Sequence, residues 1–201
     1  MQNVCVLIPA AGAATRMRGA DKLLEVVDGV PLLVRQVCIA QSAGLNVLVT
    51  LRADRPLRGA AIAGLDVDIQ TIDAPDEGIA ASIRAGAVWA RARGAALMVL
   101  LADLPDITAS DITTMAQAAH NHDGQIVQAT ASDGTPGHPV VWPWSALPQL
   151  ALVRGDSGGR HIIAQSGLPI HRVALPGRAA VTDLDTPEAW AVWRDARDPL
   201  P

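Results

Sequence analysis

Apolar and polar positions fall in blocks along the chain, and the blocks differ in period. Val4–Pro9 (VCVLIP) is an unbroken, β-branched apolar run, the pattern of a strand covered on both faces. Asn46–Leu51, Asp66–Ile72, Ala95–Leu101 and Gln125–Thr130 read as strands too, Ala95–Leu101 being the most apolar. Between them lie segments of helical character. Pro31–Ala43 carries proline near its first turn and stops at Gly44. Ile79–Arg93 is rich in Ala and Arg and stops at Gly94. Thr108 or Ser110 caps a further helix that runs to about His120. A last strand at Ile170–Ala174 and a last helix at Pro187–Ala196 complete the pattern.

This alternation predicts an α/β fold with a mostly parallel central sheet and helices on both faces. The whole chain, 1–201, is expected to form a single domain. Residues 131–168 break the pattern with Pro136, Gly137, Pro139, Pro143 and Pro148, and lid-like hairpin material is expected there. Ligands of such sheets gather where strand C-termini meet the loops. Two features sit at such ends: the loop after Pro9, and Asp103.

Composition narrows the partners. A net charge of −4 argues against a nucleic-acid or membrane-surface binder, which needs a basic face. The chain has no Phe and no Tyr, so base-stacking platforms are not expected. Cys5 and Cys38 are far apart in apolar runs and are read as buried free thiols, as fits a reducing compartment. The N-terminal apolar run is short and lacks a basic leader, so a cytoplasmic protein is expected. Asp198–Pro201 reads as a frayed tail.

Of the sixteen basic residues only one is lysine, and that residue, Lys22, lies in the most motif-like stretch, Pro9-Ala10-Ala11-Gly12-Ala-Ala-Thr15-Arg16-Met17-Arg18-Gly19-Ala-Asp21-Lys22. Small residues behind a buried strand let backbone approach a ligand closely, and their N–H groups can cradle phosphate. Arg16 adds a fork suited to phosphate and Lys22 a mobile point charge. The stretch is neither a Walker A loop nor the glycine fingerprint of dinucleotide enzymes.

Asp103 closes the most apolar strand, where an acid has little reason to belong to the core; it is read either as a turn or helix-capping residue or as a ligand of a hard cation. Thr182-Asp183-Leu184-Asp185-Thr186-Pro187-Glu188 is a competent helix start, yet Asp183 and Asp185 face one side in an extended segment. His120 and His122 complement the dipole at a helix end and lack the partners of a metal site.

The first stretch resembles the signature A-[AG]-G-x-[ST]-x-R-M-G-x-x-[DP]-K of nucleotidyltransferases with a GT-A-like, Rossmann-like fold, above all the molybdenum cofactor cytidylyltransferases and the wider MobA-like group. Gly12, Arg16, Met17, Gly19 and Lys22 match; Ala14 and Arg18 depart, Arg18 standing where glycine usually follows the methionine. Four further segments match in the family's order: Gly78 to Gly86 with Ser82, Asp103 with Pro105, Gly134 to Pro139, and Asp183 to Glu188. Gly155 to Arg160 resembles the family's G-D-x-G-x-R.

The resemblance implies a Mg²⁺-dependent enzyme that transfers CMP from CTP to a phosphorylated acceptor, molybdopterin or the molybdenum cofactor. Arg16 and Lys22 would be catalytic. Pro9, Ala10, Ala11, Gly12, Lys22, Gly78 and Ser82 would bind nucleotide. Asp103 and Asp185 would hold the metal, with Asp183 as the alternative second ligand. Gly137, His138, Asp156 and Arg160 would meet the acceptor. A molybdoenzyme is an implied client. A guanylyltransferase or an isoprenoid-pathway cytidylyltransferase are rivals of the same fold. A non-catalytic cofactor chaperone and an NAD(P)-dependent oxidoreductase are rivals of other classes.

Overall fold

The strand that begins the pattern, β1 (Asn3–Ala10), lies near the centre of a seven-stranded sheet, and its residues Cys5 to Ile8 are fully enclosed. The computed structural model describes residues 3–73, 77–154 and 159–197, with the backbone alone at 159–161. The other strands of the sheet are β4 (Asn46–Leu51), β5 (Asp68–Thr71), β6 (Ala95–Val99), β7 (Ile126–Thr130), β8 (Pro136–Trp142) and β9 (Ile170–Ala174). Their order is β5-β4-β1-β6-β8-β7-β9, parallel except for β8, which runs against both its neighbours. A small antiparallel ribbon, β2 (Val26–Val27) with β3 (Val30–Pro31), follows the N-terminal loop.

Helices cover both faces, as the alternation predicts. On one face α1 (Leu32–Ser42) and α4 (Ala109–Asn121) bring Leu33, Val37, Ile112 and Met115 against Val6, Ile8 and Met98. On the other, α3 (Ile79–Ala92), α5 (Leu147–Leu150) and α6 (Gly159–Ser166) bring Ile83, Ala87, Leu147 and Ile162 against Leu7, Leu97 and Trp142. The remaining helices are α2 (Pro56–Ala61) and α7 (Pro187–Arg197). Gly86 of α3 crosses β1 closely: a Cβ there would lie 2.7 Å from a methyl of Leu7. Thr108, not Ser110, caps α4, in a reciprocal capping box with Asp111.

Three expectations need correction here. Pro136–Trp142 does form a hairpin with β7, but rather than lid-like material it is a strand of the central sheet, inserted between β6 and β7. The run Val140-Val141-Trp142 is buried, and the prolines and glycine cluster at the strand's entry, where fewer ladder bonds are asked of them. Cys38 is exposed rather than buried, because α1 turns Leu33, Gln36, Val37 and Ala40 inward and leaves Cys38 on its outer side; Cys5 is buried as expected. Ala95–Leu101 ends as a strand at Val99, so Asp103 stands beyond the strand rather than on it. Asp198–Pro201 lies outside the described residues. Among the described residues no helix is long and apolar enough to cross a membrane.

Candidate active site

The loop that leaves β1 is shaped by two left-handed residues. Ala14 (φ 54°) and Arg18 (φ 52°) bracket a single 3-10 turn, Thr15–Met17. A positive φ is uncommon outside glycine, which explains why glycine is usual in the family where Arg18 stands. Arg18 is tied to Glu188 at 2.7 Å on the surface. Met17 anchors the turn by packing with Val27, Leu32, Leu184 and Trp190. The N-terminal loop and the start of α7 are thereby joined through one apolar cluster.

That junction brings four separated charges together. The Lys22 ammonium donates to Asp103 Oδ2 at 2.5 Å and to Asp185 Oδ1 at 2.6 Å. Arg16 reaches the other oxygen of Asp185 at 2.7 Å, with most of its side chain in solvent. Bonds to backbone carbonyls hold the segments that carry the acids: Leu184 N–H donates to the Asp103 carbonyl at 3.3 Å, and the buried Gln36 side-chain amide donates to the Leu104 carbonyl at 2.6 Å. Burial on its own would lower the Lys22 pKa, but the charge and hydrogen bond of Asp103, seconded by Asp185, outweigh it and the net shift is upward. Asp103 Oδ1 is buried and has no hydrogen-bond partner among the described residues. Two carboxylates converging on one cation, one with a spare buried lone-pair oxygen, form a donor set that fits a hard divalent ion completed by phosphate oxygens. Among the described residues no group of three or more His, Cys, Asp or Glu side chains is arranged for a metal.

Two cavities meet at this point. One, of about 270 Å³, is lined by Pro9, Ala11, Gly12, Lys22, Gly78 and Ser82 together with Arg58 and Asp103. Gly78 caps α3 with φ 68°, a conformation that favours glycine. Ser82 is buried and accepts from the Thr50 hydroxyl at 2.8 Å, which leaves its own proton to donate. Ala10 lies below the loop, its carbonyl turned to Arg58. The second cavity, of about 420 Å³, is walled by Leu101, Leu104, Val140 and Ile163 and carries Asp103, Gln128, Gly137, His138 and Asp183. Leu101 and Asp103 belong to both.

Gly137 is where β8 meets the chain before α7: a Cβ there would lie 2.0 Å from the Ala180 carbonyl. His138 N–H donates to that carbonyl at 2.9 Å, and its ring Nδ1 stands 3.5 Å from the Val99 carbonyl. Burial lowers the His138 pKa, against the Val99 contact and the Asp103 charge, so the ring is neutral near pH 7. From the segment before α7, Asp185 meets Lys22 while Asp183 lines the second cavity. Asp156 lies outside the described residues, and so does the side chain of Arg160, whose backbone opens α6. His122 ends α4 stacked on His171, ring centroids 3.5 Å apart, away from both cavities.

Sequence reasoning missed Arg52, Arg55 and Arg58. Arg58 is buried, forks onto Asp21 at 2.7 and 2.9 Å, and donates to the carbonyls of Ala10 and Gly12 at 2.6 and 2.7 Å. Arg55 donates to the Ala13 carbonyl at 2.9 Å and Arg52 to that of Ala11 at 3.4 Å. The only signal was spacing, arginine at every third position from 52 to 58, and spacing alone does not say which loop it meets.

A mostly parallel sheet that brings a cation-bearing small-residue loop and two acids to the shared edge of two cavities has the layout of a nucleotidyltransferase. The MobA-like NTP transferase domain matches residues 6–170, and the chain belongs to that family. The structure is similar to that of Rv0371c from Mycobacterium tuberculosis H37Rv, with a TM-score of 0.82 at 23% identity over 96% of this chain and 97% of that one. The same mycobacterial protein solved in complex with manganese superposes with a TM-score of 0.76 at 20% identity over the same shares. A nucleotidyl transferase from Methanothermobacter thermautotroptrophicus superposes with a TM-score of 0.79 at 20% identity over 98% of each chain. CMP:2-keto-3-deoxy-manno-octonic acid synthetase complexed with CTP superposes with a TM-score of 0.77 at 14% identity over 98% of this chain and 99% of that one. No curated protein matches the sequence.

Proposed function

We propose that the enzyme transfers CMP from CTP to a phosphorylated small molecule, with molybdopterin or the molybdenum cofactor as the favoured acceptor and pyrophosphate as the leaving group. One observation carries the reading: Lys22, Asp103, Asp185 and Arg16 converge where the two cavities join. The smaller cavity receives the nucleotide on Pro9 to Gly12, Gly78 and Ser82. The larger one receives the acceptor against Gly137 and His138; Asp156 and Arg160 are assigned to the same task by their motif. The acceptor's phosphate oxygen, already anionic, attacks the α-phosphorus as the bond to pyrophosphate breaks. Such transfer asks for alignment and charge neutralisation rather than for a strong base.

Asp103 and Asp185 are the ligands we assign to Mg²⁺, which when bound neutralises triphosphate charge. The manganese complex of the mycobacterial protein supports a divalent ion, and the CTP complex of the octonic acid synthetase supports cytidine. Lys22 and Arg16 then face the α-phosphate and the departing pyrophosphate. A molybdoenzyme that takes up the product is the proposed client. The test is a thermal-shift panel of CTP, GTP, UTP and ATP, each with Mg²⁺, because a ligand of the folded state raises the melting temperature. CTP should give the largest shift; a larger one with GTP would move the enzyme to the guanylyl branch. Pyrophosphate release with CTP and molybdopterin tests the acceptor.

A further inference from the structure

Consecutive peptide units of the N-terminal loop all point their carbonyls at one short arginine segment. Arg58 takes the carbonyls of Ala10 and Gly12, Arg52 that of Ala11, and Arg55 that of Ala13. In a trans peptide the C=O and the following N–H point in opposite directions. The N–H groups of Ala11, Gly12, Ala13 and Ala14 are therefore each turned away from the guanidinium that the preceding carbonyl meets, and Gly12 among them is exposed. The guanidinium of Arg58 has four of its donor directions taken, two by the loop and two by Asp21, the residue before Lys22. A guanidinium so deeply buried needs a paired carboxylate to offset its loss of water, and Asp21 supplies it.

We propose that Arg58, seconded by Arg55 and Arg52, is the positioning residue of the phosphate-binding loop. It draws the loop's carbonyls inward, which aims a run of backbone N–H groups outward as a cradle for the triphosphate. Through Asp21 it also fixes the backbone that carries Lys22. Arg58 borders the smaller cavity, but four of its five guanidinium donors are taken by the loop and Asp21, so it acts through the loop. The proposal rests on the nucleotidyl-transfer reading and adds to it a preformed cradle for polyphosphate whatever the base.

The probe is inorganic tripolyphosphate with Mg²⁺, titrated calorimetrically well below the melting temperature, with amide exchange of the 10–21 segment followed by mass spectrometry. Arg58→Lys keeps the charge and loses the fork, and should weaken binding roughly tenfold or more while exchange of that segment quickens. Arg55→Gln should do the same to a smaller extent. Lys22→Ala should weaken binding without quickening exchange, which separates a contact from a positioning group. A merely structural Arg58 would lower the melting temperature and leave affinity unchanged in the folded protein. Folded Arg58→Lys that binds tripolyphosphate as wild type does would overturn the proposal; if that variant does not fold, unchanged affinity and exchange in Arg55→Gln overturn it. Wild type that binds neither tripolyphosphate nor any nucleoside triphosphate would overturn the underlying reading instead.

Discussion

The two cavities that meet at Asp103 are held in shape by different forces. On the β1 side the loop has small residues and little to pack. Charged groups that reach it from α2 and its approach, and Lys22 between two acids, fix its form. On the β8 side the wall is apolar, with Leu101, Leu104, Val140 and Ile163, and close backbone contact at Gly137 sets its form. Electrostatic preorganisation suits a ligand whose charge is fixed and whose position must be reproducible. Shape and a few polar groups suit discrimination among larger acceptors.

The sharpest way to break this contrast is to remove charge from the first side. Lys22→Ala and Asp103→Asn should each cut turnover about a hundredfold to a thousandfold while the fold persists, as for loss of one preorganised transition-state partner. Steady-state pyrophosphate release together with circular dichroism checks this; near-normal turnover would end the distinction.

Next come paired glycine substitutions. Gly137→Ala pushes a methyl group into the Ala180 carbonyl and should cost about 1–3 kcal/mol, read as a lowered melting temperature. Gly12→Ala meets no atom within 4 Å, so its melting temperature should stay near wild type while triphosphate affinity falls.

The pH limits should also divide. The Lys22 pKa is raised above 10.5, so its contribution to stability is complete below that value and disappears as pH climbs through the raised one. The His138 pKa is lowered from 6.5, so the unfolded chain takes up a proton first and stability falls as pH drops from 6.5 toward the lowered value. Thermal melts should lose the alkaline component in Lys22→Met and the acid component in His138→Gln. The smallest effect is expected from Gln128→Leu, which changes one polar group of the larger cavity's wall: on the proposed reading, a several-fold rise in acceptor KM with CTP affinity unchanged.

The same contrast explains what was legible in the chain. β1 and β6 were readable because strands buried on both faces have no polar alternation to confuse the period. β8 was not, because its entry carries two prolines and a glycine, and its register is set by neighbours distant in sequence. Lys22, Asp103 and Asp185 stood out because they sit in short motifs, and the fold brings those three side chains into contact. Arg58 was hidden: nothing about an arginine in a short helix of small and apolar residues says that its guanidinium will be enclosed against a loop more than forty residues earlier. Sequence pattern reports which groups can do chemistry; it reports poorly which groups hold them still, because that depends on approach in three dimensions.

Asp185 lies 163 residues after the lysine that it meets. A chain leaving the ribosome has made the whole N-terminal loop and all four contiguous parallel strands by Val99, and both strands around the second cavity by Trp142. Its carboxylate pair closes only after Asp185 has emerged. A nascent or C-terminally clipped chain therefore presents its lysine with one acid rather than two. Two carboxylates face the lysine only once the segment leading into α7 is in place.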